Sequence, residues 1–177
     1  MNTDFRELLP EGFHDQSRVW IYQSNRLFTL NEALNIEEIL KQFVGSWNSH
    51  GTPVKGYANL FFGQFIVLIA DESDYGVSGC STDSSVRMIK DFEQMFNVNM
   101  FNRLLFAFIV KERVQMIPMA QLVYAFENGF LDAETPYFNN TVQTLEQLRN
   151  HWLVPVKDSW LAKDKRFSVA VEKDKTV

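Results

Sequence analysis

The run Ser78-Gly79-Cys80-Ser81-Thr82-Asp83-Ser84-Ser85 carries the single cysteine of the chain into the start of an amphipathic helix. At a helix N-terminus the unpaired N–H groups and the positive end of the dipole favour a thiolate, the form of cysteine that attacks electrophiles. His50 is the candidate base, given a layer in which the end of the first helix neighbours the start of the second, and Asp83 is the candidate orienting acid. Cys80, His50 and Asp83 form the candidate catalytic set. Hydroxyls beside free N–H groups also suit an anionic ligand. With the acids at the end of an apolar strand, they give a candidate ligand-binding set of Asp71, Glu72, Ser81 and Ser85. Each group also has a plainer reading. A free cysteine is among the most buried residue types, Ser and Thr cap helices, a helix-terminal His meets the last carbonyls, and an acidic loop is solvated.

Several chemistries are excluded by spacing. Arg87 lies one residue too far from Cys80 for the phosphatase pattern, and Asp83 would repel a phosphate dianion. The chain has no Gly-Lys dipeptide and hence no P-loop, no Gly-x-Gly-x-x-Gly, no Gly-x-Ser-x-Gly and no kinase signature. Asp71, Glu72 and Asp74, together with Asp83 and His50, are acids and an imidazole that could bind a divalent cation or provide a general acid and base. No His-x-x-x-His, Cys-x-x-Cys or EF-hand spacing accompanies them, so no metal site and no cofactor is assigned.

The elements that must position these groups follow from pattern. Arg18–Gln23 reads as a first strand. Thr29-Leu30-Asn31-Glu32 is a capping box, and Ile36, Ile39, Leu40, Phe43, Val44 and Trp47 then form a one-sided stripe. That helix is expected to end at Asn48-Ser49-His50-Gly51. Val54 to Phe62 and Gln64 to Ala70 read as a hairpin hinged at Gly63, the second arm apolar enough for a central strand covered on both faces. A helix follows from about Thr82 to Asn97, capped by Ser81, Thr82 or Asp83, with Val86, Ile89, Phe92 and Phe96 inward. Leu104 to Val110 and Val114 to Ile117 suit either paired strands around Lys111-Glu112-Arg113 or a buried helix. Pro118 and Gly129 bracket a third helix with Met119, Leu122, Val123 and Phe126 inward, and a fourth runs from Thr141 to Trp152. Hairpins alternating with crossovers predict an α+β two-layer sandwich, a mainly antiparallel sheet with helices on one face and a ferredoxin-like centre.

At 177 residues with 46% hydrophobic content the chain is read as one domain over 1–162, followed by a weakly ordered tail over 163–177. A net charge of −5 with thinly spread basic residues disfavours nucleic-acid binding. No window approaches the roughly 18 apolar residues of a membrane span, and the N-terminus lacks a signal-peptide core. One cysteine suits a reducing compartment, which gives a cytoplasmic assignment. Sixteen Phe, four Trp and five Tyr make the chain aromatic-heavy, and rings of such area can serve an interface as well as the core, which suggests a homo-oligomer such as a homodimer.

Ser17-Arg18-Val19-Trp20-Ile21-Tyr22-Gln23, Trp47 with His50-Gly51, Asp71-Glu72, and Ser78-Gly79-Cys80-Ser81 with Asp83 and Ser85 resemble segments of a family of small Bacteroidetes proteins that often carries the label "ABC transporter ATPase". The resemblance spans about residues 14 to 160. It implies no activity or catalytic residues, but it groups His50, Asp71-Glu72 and Cys80 to Asp83 as one site. The label itself conflicts with the chain, since an ATPase of that class organises nucleotide and magnesium with a phosphate-cradling loop and its Lys. The chain is therefore read as a protein-interaction or small-ligand-binding module without nucleotide hydrolysis. The alternative is a small-molecule enzyme built on Cys80 with His50 and nearby carboxylates.

Overall fold

The structure is a computed structural model that describes residues 3–49, 51–73 and 79–167, with only the backbone described at 79–81. In chain order the elements are β1 (Arg18–Gln23), α1 (Leu30–Ser46), β2 (Asn48–Ser49), β3 (Thr52–Pro53), β4 (Lys55–Phe61), β5 (Phe65–Asp71), α2 (Gly79–Phe96), β6 (Leu105–Val110), β7 (Arg113–Pro118), α3 (Leu122–Glu127), β8 (Pro136–Phe138), α4 (Leu145–His151) and β9 (Leu153–Pro155). The fold is α+β, as expected. Its strands are shared among three antiparallel sheets, ordered β1-β5-β4, β2-β3 and β7-β6-β8-β9. The chain, read above as one domain over 1–162, divides into two compact units.

The first unit is Asn2–Asn102 with Val142–Arg149. Its centre is the split β-α-β-β-α arrangement of the ferredoxin-like expectation, with β5 inserted antiparallel between β1 and β4. All seven residues of β5 are buried, because Phe65-Ile66-Val67-Leu68-Ile69 is apolar on both sides of the pleat. The hairpin into it turns at Phe62 and Gly63, with φ of 53° and 60°, the positive values that a tight hairpin turn needs. Tyr22, Leu60, Ile66, Leu68 and Ala70 meet Ile36 and Leu40 of α1 and Ile89 and Phe92 of α2, so both helices cover one face. Beside β1, Val19 N–H donates to Gln143 O and Leu145 N–H to Ser17 O, a single antiparallel bridge that occupies the place of a fourth strand.

The helix boundaries follow from capping. Thr29 and Glu32 close the capping box that opens α1. Arg26 then binds both Glu32 oxygens, at 2.8 and 2.9 Å, and the Phe96 carbonyl, tying the start of α1 to the end of α2. The Glu32 carboxyl is held down at about 2, first by Arg26 and then by the Thr29 N–H. α1 stops at Ser46, before the expected Asn48-Ser49-His50-Gly51, because Trp47 turns extended and its carbonyl accepts the Val54 N–H. α2 starts at Gly79, so Ser81, Thr82 and Asp83 lie within its first turns and do not cap it from outside. It ends on Asn97 at φ 50°, with Val98 N–H donating to Glu93 O, a Schellman closure.

The second unit holds Arg103–Thr141 and the described residues from Asn150 onward. The 104–117 ambiguity resolves as a hairpin: Val110 pairs with Arg113, and Lys111 and Glu112 supply the two positive φ angles, 49° and 59°, without Gly or Asn. Pro118 closes β7, and a 3-10 turn over Met119–Gln121 intervenes before α3, whose buried residues are Leu122, Ala125 and Phe126. Val123, expected inward, is instead exposed. α4 is shorter than expected, since Thr144 forms the bridge to Arg18 and the chain after His151 enters β9. Phe167, inside the expected tail, is 2% exposed and joins the core of Phe106, Phe108, Tyr137 and Val156. Burial pushes the Tyr137 phenol up to about 12, opposed by the Trp160 indole N–H that donates to it at 3.2 Å.

Gly56 of β4 lies under Trp47, which is buried. A Cβ there would stand 2.6 Å from Trp47 Cε3. Gly56→Ala is expected to cost about 1–3 kcal/mol through overpacking, read as a lower denaturation midpoint at unchanged m-value.

Candidate functional site

Asp71 is the one sequence-chosen acid whose partners the structure fixes fully. It closes β5 on the face away from the helices, with its side chain 1% exposed. Lys55 is opposite it in register and places Nζ 2.7 Å from Oδ2. His14 N–H donates to the same oxygen at 3.2 Å, and Ser73 N–H donates to Oδ1 at 3.1 Å. The Lys55 ammonium also donates to Gly12 O at 2.6 Å and lies 4.9 Å from the Phe13 ring centroid. Burial works to raise the Asp71 pKa, but the Lys55 and Ser73 donors and the His14 N–H outweigh it and hold the carboxyl well below the usual carboxylate range. Asp71 is thus no solvated loop acid. Both of its oxygens are taken by protein donors that fasten the chain around residues 12–14 across the sheet.

That segment continues over the same face. Phe5 stacks edge-on against Phe61 and Phe62, and Tyr57 donates its hydroxyl to Leu8 O. Asp15 receives Arg149, and Arg6 Nε donates to Arg149 O at 2.9 Å. Sequence reading missed this cover because Pro10-Glu11-Gly12 breaks all periodicity. The available signal was Phe5, the Leu8-Leu9 pair and Phe13, apolar residues in an otherwise polar stretch.

Of the remaining chosen residues, Ser85, Asp83 and Glu72 have described side chains, and none of them is among the donors to Asp71. Ser85 is fully buried; its hydroxyl donates to Thr82 O at 2.7 Å, the back-bonding of a helix-interior serine. It also hydrogen-bonds Tyr22, whose phenol is raised by burial with Ser85 opposing. Ser85 therefore belongs to the core. Asp83 is exposed on α2, and Glu72 is half-buried after β5. His50, Asp74 and the side chains of Cys80 and Ser81 lie outside the described residues. Among the described residues no group of three or more His, Cys, Asp or Glu side chains is placed to hold a metal ion, and no helix is long and apolar enough to cross a membrane.

A different site forms along β4, the edge strand of its sheet. Val19 N–H points away from β5, to Gln143, so antiparallel alternation turns Arg18, Trp20 and Tyr22 toward Ala70, Leu68 and Ile66. The other β5 residues then bond Lys55, Tyr57, Asn59 and Phe61, leaving the backbone of Gly56, Ala58 and Leu60 facing outward. Leu60 N–H is taken at 2.8 Å by the side-chain oxygen of Asn59. Among the described residues no backbone hydrogen bond reaches the outward groups of Gly56 or Ala58. Beside this open stretch lies a cleft of about 250 Å³ between α1 and β4. Leu40 and Val44 form its apolar wall, Gly56 and Ala58 its floor, and Glu37 and Lys41 its rim. The cleft exists because β4 presents only small side chains toward α1 at these positions. The alternation of Gly56 and Ala58 with Tyr57 and Asn59 was the sequence signal for it.

No protein-family model, curated protein or solved structure matches the chain.

The Asp71 pair has a pH consequence. A carboxyl whose folded pKa is depressed contributes stability in full above its unfolded pKa of about 3.9, and that contribution drains as pH falls below it. Asp71→Asn is expected to lower stability at pH 7 by about 2–3 kcal/mol, less than for a fully buried pair because Lys55 is half-exposed. It should also flatten the loss of stability between about pH 4 and pH 2 in denaturant titrations. An acid limb as steep as in the wild type would contradict the assignment.

Proposed function

We propose that the chain is a cytosolic protein-interaction module without nucleotide hydrolysis, which takes an extended segment of a partner along β4. The observation that carries this reading is the open backbone of Gly56 and Ala58 beside the α1–β4 cleft. An edge strand with free N–H and C=O groups is a template for strand addition, in which main-chain bonds supply affinity and pockets for alternate side chains supply selectivity. The cleft walls of Leu40 and Val44 suit one apolar side chain of the incoming segment, while Glu37 and Lys41 meet its polar neighbours. The block that Asn59 places on Leu60 N–H confines the added strand to the Gly56–Ala58 end, where the cleft is. The absence of a P-loop supports the exclusion of nucleotide hydrolysis, and the single cysteine supports the reducing compartment.

Selection of a random displayed peptide library against the purified protein tests this. Enriched peptides are expected to carry an apolar residue within a short extended motif, to shift backbone amide resonances of β4 and α1, and to lose binding in Ala58→Pro. Proline there removes an outward N–H without taking a ladder bond. Peptides that bind elsewhere, or that bind Ala58→Pro equally well, would contradict the reading.

A further inference from the structure

We infer that the segment received along β4 is β4 of a second copy of this chain, so that the edge is a dimer seam; this rests on the strand-addition reading above. The open stretch is self-complementary. A twofold axis through Tyr57 sets Gly56 opposite the second copy's Ala58 in an antiparallel pair, and each then supplies the N–H and C=O that the other lacks. The register is restricted on both sides, because Asn59 already occupies Leu60 N–H and the Trp47 carbonyl occupies Val54 N–H, the two positions this register sets opposite each other. At the other end of β4, Lys55 is turned to the opposite face and held by Asp71 and Gly12, so it places no charge in the seam.

The charges on α1 support the same operator. Glu37 and Lys41 are one helical turn apart and both line the cleft above Gly56 and Ala58. A twofold through the seam runs the two α1 helices in opposite directions, which brings Glu37 of one copy toward Lys41 of the other, and the reverse. An unrelated peptide would need a matching acid and base spaced to suit; a second copy has them by symmetry. Pairing of this kind extends the three-stranded sheet into one continuous sheet across the dimer and covers its open edge at β4.

Sedimentation equilibrium from micromolar to millimolar protein tests the seam. The wild type is expected to show a reversible monomer–dimer equilibrium, and Ala58→Pro to be monomeric throughout with an unchanged thermal melt. Glu37→Lys and Lys41→Glu singly are each expected to raise the dimer Kd by about tenfold through like-charge opposition, and the double exchange to restore it to within about threefold. These rim variants leave the backbone untouched, so they decide the matter even if the proline variant folds poorly. A dimer indifferent to the charge exchanges, or one that survives in folded Ala58→Pro, overturns the seam. A wild type that stays monomeric overturns it too. If such a monomer still binds selected peptides along β4, the strand-addition reading stands and only the second copy is lost.

Discussion

The complete burial of β5 is the constraint on which the first unit depends. A strand that is apolar on both faces needs a cover on each, and each large side chain so buried is worth about 1.5–3 kcal/mol. The long helices α1 and α2 supply one cover. Among the described residues no further long helix is left for the other face, and the irregular stretch before β1 serves instead, with Phe5 set against Phe61 and Phe62. That stretch has only a 3-10 turn over Arg6–Leu8 and a few local bonds of its own, so side chains must fasten it to the sheet. The buried Asp71 carboxylate does this: it draws Lys55 into place, and the two together hold Gly12 O and His14 N–H. What looks like a candidate ligand-binding acid is the device that makes the second cover possible.

The same constraint leaves β4 at the edge. β5 has strands on both sides, β1 receives the bridge from Gln143 and Leu145, and β4 is the strand whose outer backbone meets no described partner over Gly56 and Ala58. Edge strands are commonly blocked by charge, proline or side-chain caps. Here Asn59 blocks Leu60 N–H and the Trp47 carbonyl takes Val54 N–H, and both stop short of the stretch beside the cleft. Partial blocking of this kind selects a register for an incoming strand, where full blocking would exclude one.

Much of the fold was legible because local signals agreed with tertiary demands. β1, the capping box of α1, the hairpin at Gly63 and the continuous apolar run of β5 were each fixed by a few residues with one physical reading. The short strands β2, β3, β8 and β9 were not, since two or three residues carry no periodicity and their pairing is decided by distant partners. The division into two compact units left no mark either, because the return of Val142–Arg149 to β1 is a long-range pairing, held by backbone bonds to Ser17 and Val19, the Asp15–Arg149 pair and buried Leu145 and Leu148, with no local signature. For the site, residue type misled. Ser85 and Asp71 are polar and clustered in sequence with other candidates, yet burial commits one to the helix interior and the other to the cover of the sheet. The edge at Gly56 and Ala58 is a backbone feature, visible in sequence only as small residues in alternation.

Amide hydrogen exchange along β4, measured at several protein concentrations, tests the central claim most directly. The account predicts that Tyr57 and Asn59 are protected at every concentration by their bonds to β5, while Gly56 and Ala58 exchange freely in dilute protein and gain protection as concentration rises. Protection of Gly56 and Ala58 that is independent of concentration would contradict the open edge or its occupant, and unprotected Tyr57 and Asn59 would contradict the ladder from which the edge is derived.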